Sequence, residues 1–251
     1  MPDGHRVRAG TAAAFAGAFL LVASSCRDSR VTTDPTPTWT ARVAEPRQTS
    51  PGSPPPLLVL LHGIGADEND LFPLAAHLDP RLEVVSLRAP HAYYAGHAWF
   101  HLDIRPGGEL VPDVAQARAT LADLVRWVTA APARYGTDPR RTFLLGFSQG
   151  AMMSLGVLCT APERLAGVVA LSGRSPKGLF DCPAAREEIA RVPLLVAHGT
   201  LDDVLPVAFG RAIRDEFQGL SIDFTYREFP IGHGIAPDEL ELVASWLTKH
   251  L

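Results

Sequence analysis

Two glycine-flanked side chains carry the chemistry of this sequence: Ser148 in LLGFSQGAMM, residues 144–153, and His233 in GHG, residues 232–234. A serine hydroxyl is a poor nucleophile until a neighbouring base takes its proton. Histidine suits that task because its free imidazole titrates near neutrality. Ser148 follows an apolar run and precedes a helix-like run, so it falls on a strand-to-helix turn. A turn that holds a hydroxyl above a sheet strains the serine backbone and crowds its neighbours. Gly146 and Gly150 remove the side chains that would clash. The pattern reads Ser148 as a nucleophile, against the plainer reading of a solvent-facing serine in a Gly-rich turn.

The remaining parts are sought at the ends of other apolar runs. Of nine histidines, His62 and His198 each close a run and precede glycine, which suits turn shaping. His91, His97 and His101 lie in the loop 88–111, and His77 lies in the stretch after Asp70. His233 stands after the last strand-like run and before the last helix-like run, where a loop brings an imidazole over the nucleophile. A carboxylate that orients this imidazole and stabilises its charged form is expected after the run 193–198, where Asp202 and Asp203 both stand. One would orient the base and the other would cap the helix that begins at Pro206. An oxyanion needs donors fixed before reaction. The backbone N–H of Gln149 supplies one. The backbone N–H of Ile64, in HGIGA with glycines at 63 and 65, supplies the second.

These residues require a scaffold that brings strand ends together. Continuous apolar runs at 57–62, 83–87, 142–147, 167–172 and 193–198 read as buried strands, and DFTYREF at 223–229 alternates as an edge strand does. Helical periods cover Pro112–Ala131, the segment after Ser148 to about Thr160, and two stretches opening with Pro206 and Pro237. Alternating strands and helices define an α/β fold with a mostly parallel sheet and helices on both faces. Ligands gather at the carboxyl ends of such strands, and each candidate above follows a strand.

The N-terminal segment has another character. A basic start, an apolar stretch from Ala9 to Ser25 and small residues before Cys26 read as an export signal over 1–25. The string VASSC resembles the lipobox of bacterial lipoproteins, with Ala23 in place of the usual leucine, which makes Cys26 the lipidation candidate and first mature residue. An exported protein anchored to a membrane is then expected, with ordinary secretion as the alternative. Residues 27–56, rich in Thr, Pro and Ser, read as a tether before a catalytic domain at 57–251, although TWTARVA at 38–44 could pair at a sheet edge. A net charge of −4 and 20% charged residues show no nucleic-acid footprint and no polybasic membrane patch. Export permits a bond between Cys159 and Cys182. The order of elements argues against it, placing Cys159 at the far end of the helix after Ser148 and Cys182 near the opposite end.

The strings LLHGIGADENDL, WFHLD, LLGFSQGAMMSL, LAGVVALSG, HGTLDDVLPV and the GHG around His233 together resemble the phospholipase/carboxylesterase family of α/β-hydrolases, which includes acyl-protein thioesterases. The resemblance runs from about Leu57 to Leu251. It implies the α/β-hydrolase fold and a catalytic acid four positions after His198, which selects Asp202; Asp203 stands where the family often has proline. It also implies an oxyanion N–H at Ile64 and an acyl-site border at Trp99 and Phe100. Catalysis is implied without metal or organic cofactor, and Asp67 and Asp70, beside His62, read as helix caps rather than metal ligands. The implied reaction is acyl transfer from a small-molecule ester to water. Between Gly173 and Val192 there is too little chain for a large helical lid, which favours short to medium acyl chains, with lysophospholipids and thioesters as further substrates. The rival readings are a noncatalytic ligand-binding lipoprotein and a peptidase on the same scaffold.

Overall fold

The computed structural model describes residues 36–104 and 110–251. The export signal over 1–25 and Cys26 lie outside the described residues. In chain order the elements are β1 (Ala41–Ala44), β2 (Leu57–Leu61), β3 (Glu83–Leu87), β4 (His91–Tyr93), β5 (Gly96–Ala98), β6 (Leu102–Ile104), β7 (Leu110–Pro112), α1 (Val114–Tyr135), β8 (Thr142–Phe147), α2 (Gln149–Thr160), β9 (Gly167–Leu171), α3 (Arg186–Ile189), β10 (Leu194–Gly199), α4 (Ala208–Phe217), β11 (Phe224–Phe229) and α5 (Pro237–His250). A short 3-10 helix spans Phe72–His77.

Seven strands form one sheet in the order β1-β3-β2-β8-β9-β10-β11. All neighbours are parallel except β1, which pairs antiparallel with β3 at the edge. The apolar runs are continuous because both faces are covered. Leu57, Val59 and Leu61 join the core beneath α1, α2 and α4, while Leu58 and Leu60 join the core beneath the 3-10 helix and α5. β11 closes the other edge, as expected, but its residues are half-buried along most of the strand and do not alternate between buried and exposed. Helix α2 lies at the centre, with every side chain from Gln149 to Cys159 buried. A helix apolar all round belongs in such a place.

The register aligns the strand ends: Leu61 pairs with Leu87 and Gly146, Phe147 with Leu171, and Gly199 with Phe229. His62, Ser148 and Ser172 therefore leave the sheet at one edge, and the loops carrying Asp202 and His233 leave at the same edge.

Three expectations are corrected. Residues 41–44 are not tether but strand β1, and Trp39 packs edge-on against buried Trp99 with ring centroids 5.6 Å apart. Pro112 ends β7 instead of opening α1; Asp113 caps that helix by accepting the Gln116 N–H at 2.9 Å.

Cys159 and Cys182 are bonded, with Cα atoms 4.5 Å apart. Cys182 lies eleven residues beyond the end of β9. Extended chain of that length spans roughly 36 Å, against about 18 Å for the twelve residues of α2. The segment after β9 has ample reach to return to the far end of the helix. Arg118 of α1 donates to the Leu179 carbonyl, Phe180 lies close against Gly156, and the Ala184 N–H donates to the Cys159 carbonyl at 3.1 Å. Closing this loop contributes stability on the order of 2–4 kcal/mol.

Candidate active site

Ser148 sits between β8 and α2 with φ 53° and ψ −115°. A non-glycine residue there is strained by about 1–3 kcal/mol and persists only when its surroundings hold it. Here the surroundings do so tightly. The Ser148 N–H donates to the Leu171 carbonyl at 2.9 Å. A Cβ on Gly146 would meet the Gly150 carbonyl oxygen at 2.2 Å, and one on Gly150 would meet the Leu61 carbonyl oxygen at 1.9 Å. The two glycines thus let the turn close against β2 and against itself.

Asp202 and His233 reach the serine on loops zipped together beyond β10 and β11. The Thr200 N–H donates to the Phe229 carbonyl at 2.7 Å, and the Leu201 N–H donates to the Ile231 carbonyl at 2.9 Å. Gly199 allows this approach, since a Cβ there would lie 2.4 Å from the Gly232 and Ile231 oxygens. His233 Nδ1 lies 2.7 Å from Asp202 Oδ2, and its Nε2 lies 3.0 Å from Ser148 Oγ. The Phe147 ring packs beside the imidazole, centroids 4.9 Å apart.

Asp202 is buried, and its other oxygen, Oδ1, accepts the N–H groups of Val204 and Leu205 at 3.0 and 2.8 Å. Burial pushes its pKa up, but the hydrogen bond to His233 and these two amide bonds outweigh it and hold the carboxyl below its ordinary value. Asp203 is exposed. The division of labour between the two aspartates is therefore corrected: α4 begins without a side-chain cap, and Asp202 alone faces the imidazole and holds its own loop.

The buried histidines shape turns. His62 Nε2 accepts the Ala89 N–H at 3.0 Å while Nδ1 faces the Gly63 carbonyl at 2.7 Å. This arrangement fits a neutral ring that donates from Nδ1, and burial lowers the His62 pKa in agreement. His198 Nε2 lies 2.7 Å from the Leu205 carbonyl and braces the Asp202 loop. Asp67 accepts the Asn69 N–H at 2.8 Å and holds a turn, whereas the 3-10 helix that follows has no side-chain cap. The reading of Asp67 and Asp70 as helix caps is thus corrected.

Ile64, Ser148 and Gln149 border one cavity of about 220 Å³, whose other walls include Phe100, Leu102, Met152, Leu179, Leu205 and Arg174. The Trp99–Phe100 pair divides its roles. Phe100 lines the cavity, while Trp99 is fully buried and donates from Nε1 to the His62 carbonyl at 2.9 Å. The Gln149 side chain is a positioning element that sequence reasoning missed. It accepts the Trp99 N–H at 2.8 Å and donates to the Phe100 carbonyl at 2.7 Å, tying the start of α2 to the cavity wall. The Gly65 N–H donates to the His97 carbonyl at 2.8 Å, which pins the Ile64 loop to β5.

One buried acid lies just beyond the His233 loop. Glu239, in the first turn of α5, accepts the Ala236 N–H at 3.3 Å, and its Oε1 has no partner among the described residues. Burial pushes its pKa up to about 7. A carboxyl raised in the folded state binds a proton that the unfolded chain releases near pH 4.3, so it costs stability increasingly as pH rises between those values. Glu239→Gln is expected to raise the melting temperature at pH 8 and to lose that advantage below pH 4. A melting-temperature difference independent of pH would contradict the assignment.

A hydrogen-bonded Ser–His–Asp line at the carboxyl edge of a mostly parallel sheet defines the architecture of the α/β-hydrolases. The description Phospholipase/Carboxylesterase matches residues 41–251. The chain belongs to that family. Among solved structures, esterase PE8 is 30% identical and superposes with a TM-score of 0.71 over 85% of this chain and 99% of that one. The Bacillus cereus carboxylesterase shares the fold at 22% identity, with a TM-score of 0.72 over 85% and 95% of the two chains. Acyl-protein thioesterase 1 of Saccharomyces cerevisiae is 34% identical over 121 residues, 46% of this chain and 52% of its own. The alignments span about half the length of the first curated relatives.

Proposed function

We propose that the protein is a serine carboxylesterase that hydrolyses small esters through an acyl-enzyme on Ser148. The observation that carries this reading is the continuous line from Asp202 through His233 to Ser148, opening on an apolar cavity. His233 Nε2 takes the hydroxyl proton as Ser148 Oγ attacks the carbonyl carbon. The oxyanion is held by the backbone N–H groups of Ile64 and Gln149. His233 then returns the proton to the leaving alcohol or thiol. In the second half it deprotonates water, which releases the acid, while Asp202 stays ionised throughout.

The cavity volume of about 220 Å³ lies below the roughly 300–1,000 Å³ of typical small-molecule clefts. That favours acyl groups of short to medium length. Among the described residues the connection between β9 and β10 carries only the four-residue α3, too little for a large helical lid. The fully formed Ser–His–Asp line argues against a purely ligand-binding role. Export, with Cys26 as the anchored first residue, is part of the reading, supported by the N-terminal sequence and by a disulfide suited to an oxidising compartment. Mass measurement of the mature N-terminus tests it, an unmodified or internal Cys26 counting against the anchor.

The main test is a p-nitrophenyl ester series from acetate to palmitate. The expected optimum lies at short to medium acyl chains, well below palmitate. Rates rising steadily to palmitate would refute the short-pocket reading. Amide cleavage at ester-like rates would favour a peptidase.

A further inference from the structure

Among the described residues that line the cavity beside Ser148, Arg174 alone carries a charge, and ester hydrolysis does not require it. Arg174 follows the end of β9, next to Gly173, whose Cβ position lies 2.7 Å from Ala151 Cβ and 3.6 Å from the Ser148 carbonyl oxygen. The Arg174 backbone therefore starts against the first turn of α2, and the residue borders the same cavity as Ser148, Met152 and Leu179. Arg174 is half-buried, and its guanidinium lies 5.3 Å from the centre of the Phe209 ring on α4. Stacking of that kind limits where the cation points.

No carboxylate pairs with Arg174 among the described residues. Of the acids near its segment, Asp181 pairs with Arg118 at 3.2 Å, and Glu216 of α4 accepts the neutral Ser175 hydroxyl without an ion pair to Arg174. A partly desolvated cation in a mainly apolar wall is unfavourable without a counter-charge. Arginine, with its fork of donors, is also the side chain best matched to carboxylate and phosphate.

Resting on the esterase reading, we propose that Arg174 is a specificity-determining residue: it binds an anionic group, carboxylate or phosphate, carried by the ester a short distance from the scissile carbonyl. The apolar walls then take the linking carbons, and the guanidinium takes the charged end. The preferred substrates are half-esters or short acyl phosphate-bearing esters rather than neutral ones.

The test compares kcat/KM for p-nitrophenyl butyrate with p-nitrophenyl hemiglutarate, and for a short-chain monoacylglycerol with the matching lysophosphatidate, in wild type, Arg174→Gln and Arg174→Lys. The ratio of charged to neutral substrate is expected to exceed one in wild type. It should fall about 10-fold to 100-fold in Arg174→Gln, the range for losing a hydrogen bond to a charged group, with partial recovery in Arg174→Lys. A fall in the glutarate pair alone identifies a carboxylate, a fall in the phosphate pair alone identifies a phosphate, and unchanged ratios in both overturn the proposal. Calorimetric titration with free glutarate and with glycerol phosphate reads the same site without turnover. Wild type should bind at least one of these anions about 10-fold more tightly than Arg174→Gln; equal or absent binding of both in the two proteins counts against an anion site. Loss of turnover on every ester in wild type would instead remove the esterase reading, and the titration would still decide the role of Arg174. Unchanged melting temperatures show that the variants fold.

Discussion

Ser148→Ala is expected to lower ester turnover by about 10⁴- to 10⁶-fold while the protein remains folded. Among the described residues the hydroxyl's hydrogen-bond partner is His233 Nε2 at 3.0 Å, and its removal takes away the nucleophile that the imidazole faces. Alanine keeps the Cβ and adds no bulk, so the contacts made by Gly63, Gly146 and Gly150 around the turn are preserved. The strained backbone at φ 53° is equally strained for alanine. The melting temperature should therefore stay within a few degrees of wild type, and the comparison isolates chemistry from folding. Residual activity near the wild-type rate would move the reaction away from Ser148. Equal, undetectable turnover in both proteins would move the whole reading toward ligand binding.

Much of this arrangement was legible because strand ends carry chemistry in parallel sheets. The runs at 57–62, 142–147 and 193–198 have no polar alternation, which placed them in the centre, and HGIGA, GFSQG and HGTLDD each follow one of them. Glycines at 146 and 150 mark the sharp turn because no other residue fits there, and a Cβ at Gly150 would overlap backbone. Other features have no local signature. The segment after β9 returns toward the far end of α2 as irregular chain with a turn at 176–180, so its path to Cys159 depends on packing against α1 and α2. The clamp made by the Gln149 side chain joins positions about fifty residues apart, which spacing alone does not reveal. Arg174 reads in sequence as one more loop cation, and only its place in the cavity wall gives it meaning. Strand β1 falls within TWTARVA at 38–44, which the sequence offers as an alternative to tether, and its pairing with β3 decides between the two readings.

Asp202→Asn is expected to reduce kcat by about 10⁴-fold, whereas Asp203→Asn should change it less than about threefold. The asymmetry follows from what each carboxylate touches. Asp202 offers Oδ2 to the imidazole and Oδ1 to two backbone N–H groups, so both oxygens act as acceptors. An asparagine has only one acceptor atom. If its oxygen faces Val204 and Leu205, its NH₂ faces His233 Nδ1, which must then be unprotonated. The ring proton moves to Nε2, directed at Ser148, and the base is lost. If the amide turns the other way, its NH₂ meets two N–H donors, and the loop that carries it loses its hold. The first arrangement keeps more hydrogen bonds and should prevail, leaving a folded, inactive protein. Asp203 is exposed and contributes no contact to the imidazole. The lowered pKa of Asp202 gives a second readout. A carboxyl depressed in the folded state contributes stability above its unfolded value of about 3.9, and that contribution fades as pH falls below it. The melting-temperature gap between wild type and Asp202→Asn should accordingly narrow in acid. If Asp203→Asn abolishes turnover and Asp202→Asn does not, Asp203 would have to orient the imidazole during catalysis, and the loop between Thr200 and Pro206 would have to rearrange to bring it there.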